Sequence, residues 1–191
     1  EEIPQNVGGC WRCHTPIEYL QVPQWFIRTI HFKKEVLEAS DDISWFPEFM
    51  KVRLREWVES LSWDWVVSRQ RYFATPIPVW ECEKCSHAVF AREEDCYVDP
   101  TIDPPPVESC PECGGALKGC EEVFDTWMDS SISPLYNTFW ERDPDRFARL
   151  YPMSLRPQAH DIIRTWAYYT ILRGLYLTGE RPFENIMMGG F

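Results

Sequence analysis

The 191-residue sequence predicts an α/β protein, a parallel sheet with helices, interrupted by a ribbon built on four cysteines. Three observations carry that expectation. Residues 154–191 run extended, helical, extended, the order of one right-handed βαβ unit. Six of the eight cysteines fall in pairs with two-residue spacers, Cys10/Cys13, Cys82/Cys85 and Cys110/Cys113. The chain is 45% hydrophobic and 15% aromatic, which supplies the core of one fair-sized domain or of a domain with an insertion.

Taken in order, residues 24–39 have helical spacing, with Phe26, Ile27, Ile30, Val36 and Leu37 apolar. Residues 47–61 predict a second helix with Pro47 at its first position and Trp57, Val58 and Leu61 on one side. "TPIPVW" at 75–80 is extended, since its two prolines exclude a helix. Residues 81–120 form the ribbon, with a proline-rich loop between its cysteine pairs. "EEVFDTWMDSS" at 121–131 predicts a strand running into a loop, and "DPDRFARLY" at 143–151 a short helix. A helix over 160–178 ends at Gly179, and the apolar run "ENIMMGGF" predicts a buried strand. There are no internal repeats. The division this suggests is 1–80, a ribbon at 81–120, and 121–191.

A two-residue spacer lets a tight turn aim two thiolates at one tetrahedral ion, and two such knuckles complete a four-cysteine site. Cys82, Cys85, Cys110 and Cys113 therefore predict a structural Zn2+ site, closed to chemistry because four thiolates leave no open position. The rival is a set of redox or disulfide pairs. Cys10 and Cys13 are a half-site, with partners in another part of the protein or none at all.

The formal net charge is −11. Residues 81–125 hold twelve acidic and three basic side chains, a net of −9, so most of the imbalance sits there. Zinc modules that read nucleic acid are usually basic, so this ribbon is expected to be a structural insertion. Phosphates would instead meet residues 48–73, which carry Lys51, Arg53, Arg55, Arg69 and Arg71 against four acids. No apolar run approaches the ~18 residues of a membrane span, and the first residues do not form a signal peptide. The abrupt start and stop suit a piece of a larger, cytoplasmic protein. Ten tryptophans are many, and some are expected to line a concave surface.

His160 and Asp161 stand where an almost wholly apolar helix begins. In an open parallel sheet, ligands bind beyond the carboxyl ends of strands, near helix N-termini. The loops "DTWMDS", "RPQAHD" and "GGF" are then expected to converge on one crevice. Asp161 would accept hydrogen bonds from ribose hydroxyls there, or would simply cap its helix. His160 is more readily a structural histidine than a catalyst.

"WDWVVSRQRYFATPIPVW", the four-cysteine insertion, "FDTWMDSSISPLY" and "RPQAHDIIRTWAYYTILR" together resemble class I aminoacyl-tRNA synthetases of the isoleucine/valine/leucine group. Isoleucine members have "DVWFDSG" and "GxDQ" where this chain has "FDTWMDSS" and "AHDI", so the resemblance leans to the valine branch, archaeal type. It implies the second half of the family's catalytic Rossmann fold with its inserted zinc ribbon. Residues 1–80 follow the editing insertion, whose preceding segment holds the other cysteine pair, and 121–191 close the fold. It also implies activation of valine with ATP and Mg2+ to an adenylate, then transfer to the 3' end of tRNA(Val). No covalent enzyme intermediate forms. The chain alone is expected inactive, because the HIGH and KMSKS segments are absent from it.

By motif, Trp127 and Ile162 resemble two walls of the valine side-chain pocket. Gln158, Ala159 and Asp161 match the segment that holds ribose, and Gly189, Gly190 and Phe191 the strand along adenine. Arg69, Gln70 and Arg71 match a segment near the substrate and the tRNA acceptor end. Ala74 and Ala159 stand where the family usually has glycine, and a methyl at 159 would crowd a backbone meant to approach ribose. Two other readings stay open. One is an isoleucine or leucine enzyme, which a larger pocket behind Trp127 would favour. The other is a zinc-ribbon module that binds a partner protein and catalyses nothing.

Overall fold

One carboxylate decides how the first part of the chain folds. In the computed structural model, which describes residues 6–189, Asp64 Oδ1 accepts hydrogen bonds from the backbone N–H groups of Thr29 (2.8 Å) and Ile30 (3.0 Å). Those donors begin a short 3-10 turn, Ile30–Phe32, and the chain ahead of it is extended. The expected helix over 24–39 is therefore shorter and later. Strand β1 (Phe26–Ile27) precedes the turn, and helix α1 (Lys33–Asp41) follows it. The apolar residues at 26–30 belong to a strand and a turn, from which Ile27 and Phe32 pack against the core while Phe26 is exposed.

Strand β2 (Ser44–Phe46) leads into Pro47, which is extended and precedes a 3-10 turn. Helix α2 (Lys51–Ser60) starts after that turn, so Pro47 is not a first helical residue. Strands β3 (Trp65–Val66) and β4 (Ser68–Arg69) follow, then β5 (Val79–Cys82), β6 (Ala88–Phe90) and β7 (Leu117–Gly119) of the ribbon. Strand β8 (Val123–Phe124) runs into helix α3 (Thr126–Ser131), where the sequence suggested a loop. Asp125 caps that helix, a pattern too short to show as periodicity. Helices α4 (Ser133–Asn137) and α5 (Pro144–Leu150) come next, the second capped by Asp143.

Strand β9 (Arg156–Ala159) opens the βαβ unit. Its helix begins as a 3-10 turn at His160–Ile162, widens to a π segment at Ile163–Ala167, and continues as α6 (Tyr168–Thr178). Gly179, at φ 74°, ends it in the left-handed conformation that glycine adopts without strain. Strand β10 (Asn185–Gly189) returns parallel to β9.

The three parallel strands lie in the order β2-β10-β9. Val36, Leu54, Val58, Trp45, Ile163, Ile171, Leu172, Phe183 and Ile186 form the main core between this sheet and the helices. Each such side chain contributes about 1.5–3 kcal/mol through burial. Strand β10 is not buried on both sides as its apolar run suggested. Ile186 faces the core, but Met187 is 45% exposed, and its neighbours on the adjoining strands, Phe46 and Pro157, are exposed too. Beside the parallel sheet, β1 pairs with β3 and β4 with β8, both antiparallel. Strands β6-β5-β7 make a separate antiparallel sheet, the ribbon. No helix among the described residues is long and apolar enough to cross a membrane.

Candidate functional site

The register of β9 on β10 sets Gln158 beside Met188 and Ala159 beside Gly189. Gln158, Ala159 and Gly189 thus meet at the carboxyl ends of two parallel strands, the place where open sheets bind ligands. Gly190 and Phe191, expected on the same strand end, lie outside the described residues. The 3-10 turn that follows Ala159 presents Asp161, which is exposed. The cap position belongs to Ala159, which makes no side-chain capping bond, so Asp161 is not the cap. A carboxylate in the first turn is favoured by the helix dipole and remains open to a ligand. Ala159 has φ −86°, so its methyl adds no backbone strain.

Helix α3 is not placed by the parallel sheet, as the sequence reading assumed. Strand β8 before it pairs antiparallel with β4, and a polar network does the positioning. Asp125 Oδ1 accepts from the Trp127 N–H (3.2 Å), and its Oδ2 accepts from Arg69 Nη2 (2.8 Å) and Trp65 Nε1 (3.3 Å). From the other side, Trp166 Nε1 donates to the Ser130 carbonyl (3.2 Å), and Arg173 Nη1 reaches Ser131 Oγ (3.4 Å). Helix α3 is thereby clamped against the helix that begins at residue 160. Trp127 is half-buried against the core, and Ile162 is half-buried at that helix's start.

One participant escaped the sequence reading. Trp166 stands four residues after Ile162, hence on the same helical face, and it holds α3 by its indole. The i, i+4 spacing was the available clue. Arg69 is fixed on Asp125 and serves the frame of α3, while Gln70 bonds Glu122 and Arg71 is exposed. Tryptophans do line a hollow: a cavity of about 210 Å³ is bounded by Trp57, Trp63, Trp65, Tyr168 and Tyr169, with Asp64 and Arg69. Neither Trp127 nor Ile162 lines it.

The ribbon brings Cys82, Cys85, Cys110 and Cys113 together, with one sulfur of each within 4.8 Å of the others. Neighbouring sulfurs stand 3.3 to 3.6 Å apart. Four thiolates at ~2.3 Å from one tetrahedral ion would stand roughly 3.8 Å apart, so the donor set fits zinc. The four sulfurs gather as one cluster rather than as two bonded pairs, and no cysteine is in a disulfide in this structure. A side chain on Gly115 would bring its Cβ to 2.9 Å from Cys82 Sγ, so glycine is needed for the cluster to close. Burial opposes ionisation of Cys82, yet the N–H groups of Cys85 and Lys84 lower its pKa to about 6. Cys113 is pushed up to about 12, chiefly by the adjoining Cys85 sulfur. Without a cation the four thiols do not ionise together.

The three cysteine pairs share one turn. Cys10 N–H donates to Thr15 O (2.9 Å), Cys82 N–H to His87 O (2.9 Å) and Cys110 N–H to Gly115 O (2.9 Å). His14, Ser86 and Gly114 each donate back to the first cysteine's carbonyl at 2.8 Å. All three of these residues have positive φ, between 57° and 67°. Cys10 and Cys13 are therefore folded as a metal knuckle, though no second pair faces them among the described residues.

Comparison with known proteins agrees with this architecture. The family model described as tRNA synthetases class I (I, L, M and V) matches residues 12–191, and the chain belongs to that family. Within it, the chain is similar to proteins named valine--tRNA ligase. The protein from Methanocaldococcus jannaschii is 51% identical over 191 residues, and that from Natronomonas pharaonis 53% over 191. In both cases the match covers 100% of this chain but only 21% of the relative, so the chain spans about a fifth of their length. Among solved structures, apo methionyl-tRNA synthetase of Mycobacterium tuberculosis superposes with a TM-score of 0.58 at 18% identity. That match covers 100% of this chain and 31% of the other, and it shows the shared fold.

Proposed function

We propose that this chain supplies the valine and adenylate surface of a valine–tRNA ligase. The whole protein activates valine with ATP and Mg2+, then transfers the valyl group to the 3' end of tRNA(Val) in the cytoplasm. The observation that carries this reading is the clamping of α3, which bears Trp127, onto the helix that begins beyond the carboxyl end of β9. The names of relatives that are half identical over the whole chain support valine as the amino acid.

In the first step a valine carboxylate oxygen attacks the α-phosphate of ATP and pyrophosphate leaves. In the second, a terminal tRNA hydroxyl attacks the acyl carbon and AMP leaves. Neither step needs a nucleophile from this chain. Its residues position the reactants: Trp127, Ile162 and Trp166 bound the side chain of valine, Asp161 accepts from ribose hydroxyls, and Gln158, Ala159, Gly189, Gly190 and Phe191 lie along the nucleotide. Holding two reactants in register supplies much of the rate gain in such transfers. Cys82, Cys85, Cys110 and Cys113 would hold a zinc ion that cross-links the ribbon. Cys10 and Cys13 are half of a second metal site, completed elsewhere in the whole protein. The segments 1–80, 81–120 and 121–191 act as catalytic-fold entry, ribbon and catalytic-fold close.

The test is Asp161→Ala in the whole protein, assayed by ATP–pyrophosphate exchange alongside thermal melting. Exchange should fall on the order of 10-fold or more, the weight of one charged hydrogen-bonding group, with melting unchanged. Unchanged exchange would refute the ribose role.

A further inference from the structure

Arg156 and Gln158 are two residues apart on β9, hence on one face of the sheet. Arg156 is 6% exposed and Gln158 7%. Among the described residues, Arg156 Nε and Nη2 have no hydrogen-bond partner, and neither has Gln158 Oε1. The guanidinium carbon lies 3.0 Å from the centre of the Trp166 ring and 5.0 Å from that of Phe183. Stacking on an indole attracts the cation but leaves its in-plane N–H groups unpaired. Burial lowers the pKa of Arg156 only to about 9, so it stays charged at neutral pH. A buried cation without an anion is strongly unfavourable.

Three features say what kind of anion would suit this guanidinium. Nε and Nη2 together form one edge of the guanidinium, the fork that meets both oxygens of a carboxylate. Strand β9 is the outer strand of the order β2-β10-β9, and among the described residues no strand pairs with its other edge, which can receive a neighbour. Arg156 also lies three residues before the end of the strand, about 10 Å below the mouth where a nucleotide phosphate would sit. A fixed side chain reaches that depth, and a phosphate at the helix terminus does not.

We propose that an Asp or Glu side chain, from a segment of the whole protein outside this chain, packs along the outer edge of β9 and forms a buried ion pair with Arg156. The proposal rests on the whole protein having the length of its relatives, and it is independent of which amino acid is activated.

Melting temperatures of the whole protein carrying Arg156→Met, Arg156→Gln or Arg156→Lys test it, each with and without inorganic phosphate. Arg156→Met and Arg156→Gln should lower Tm by about 5 °C or more, because they strand a buried carboxylate. Arg156→Lys, which keeps the charge, should lose clearly less, and phosphate should not shift the wild type. A Tm unchanged or raised by Arg156→Met would overturn the pairing. Equal losses for lysine and methionine would overturn it too, since packing on Trp166 alone would then explain them. Phosphate that raises the wild-type Tm but not that of Arg156→Met would show a free anion instead. Should Arg156→Met fail to fold, the Arg156→Lys and phosphate results still decide.

Discussion

Asp125 ties three pieces of the chain to one carboxylate: the N–H of Trp127, the guanidinium of Arg69 and the indole of Trp65. Its side chain is 9% exposed and that of Arg69 34%, so the pair is partly screened on one side only. Asp125→Ala should cost about 2–4 kcal/mol, combining a lost cap with a lost half-buried ion pair. Asp125→Asn keeps an oxygen for the Trp127 N–H and should cost roughly half as much. Denaturant unfolding of both variants checks the order, and equal costs would mean that the ion pair matters and the cap does not. At this scale the sequence was only partly legible. Trp127, Asp161 and Ile162 were picked out by motif, and Asp161 does stand exposed at a helix start. Two of the three partners of Asp125, Arg69 and Trp65, lie more than fifty positions away, and no local pattern announces such a contact.

Elements were legible where a local rule fixes them. Paired cysteines fix a knuckle whatever surrounds it, and Gly179 ends its helix by backbone geometry alone. The start of α1 was misplaced because Asp64, distant in sequence, captures the N–H groups of Thr29 and Ile30. Helix α3 was taken for a loop because six residues carry too little periodicity to show. The ribbon makes a sharp prediction of its own. Its strands are short, and Cys82 and Cys110 are the buried members of the cysteine cluster. Elemental analysis of protein purified without chelator should find zinc, and Cys110→Ser should lose the ribbon's share of it. Chelation should open residues 81–120 to limited proteolysis while the parallel sheet stays protected, because structural zinc contributes folding free energy directly. A ribbon equally resistant with and without metal would show that the cluster closes by thiol packing alone.

Across the whole molecule, one parallel sheet and one clamped helix pair define the surface, and the ribbon stands apart as its own small sheet. The α/β class was readable from the strand–helix–strand order of 154–191. The open face carrying Phe46 and Met187 was not, since an apolar run cannot say which of its faces finds a cover. The central claim is that Trp127 and Ile162 shape a pocket for valine. A half-buried indole against a core fits packing as well as selectivity, so both must be measured together. The direct test is ATP–pyrophosphate exchange with valine and isoleucine, in the whole protein and in its Trp127→Ala and Ile162→Ala variants, with melting temperature recorded for each. If the two residues are pocket walls, relative kcat/KM for isoleucine should rise by a factor of about 10 to 200, the range that one methylene commands. If stability instead falls by about 2–5 kcal/mol, as for a cavity in a core, while the valine preference stays unchanged, the pocket assignment is wrong.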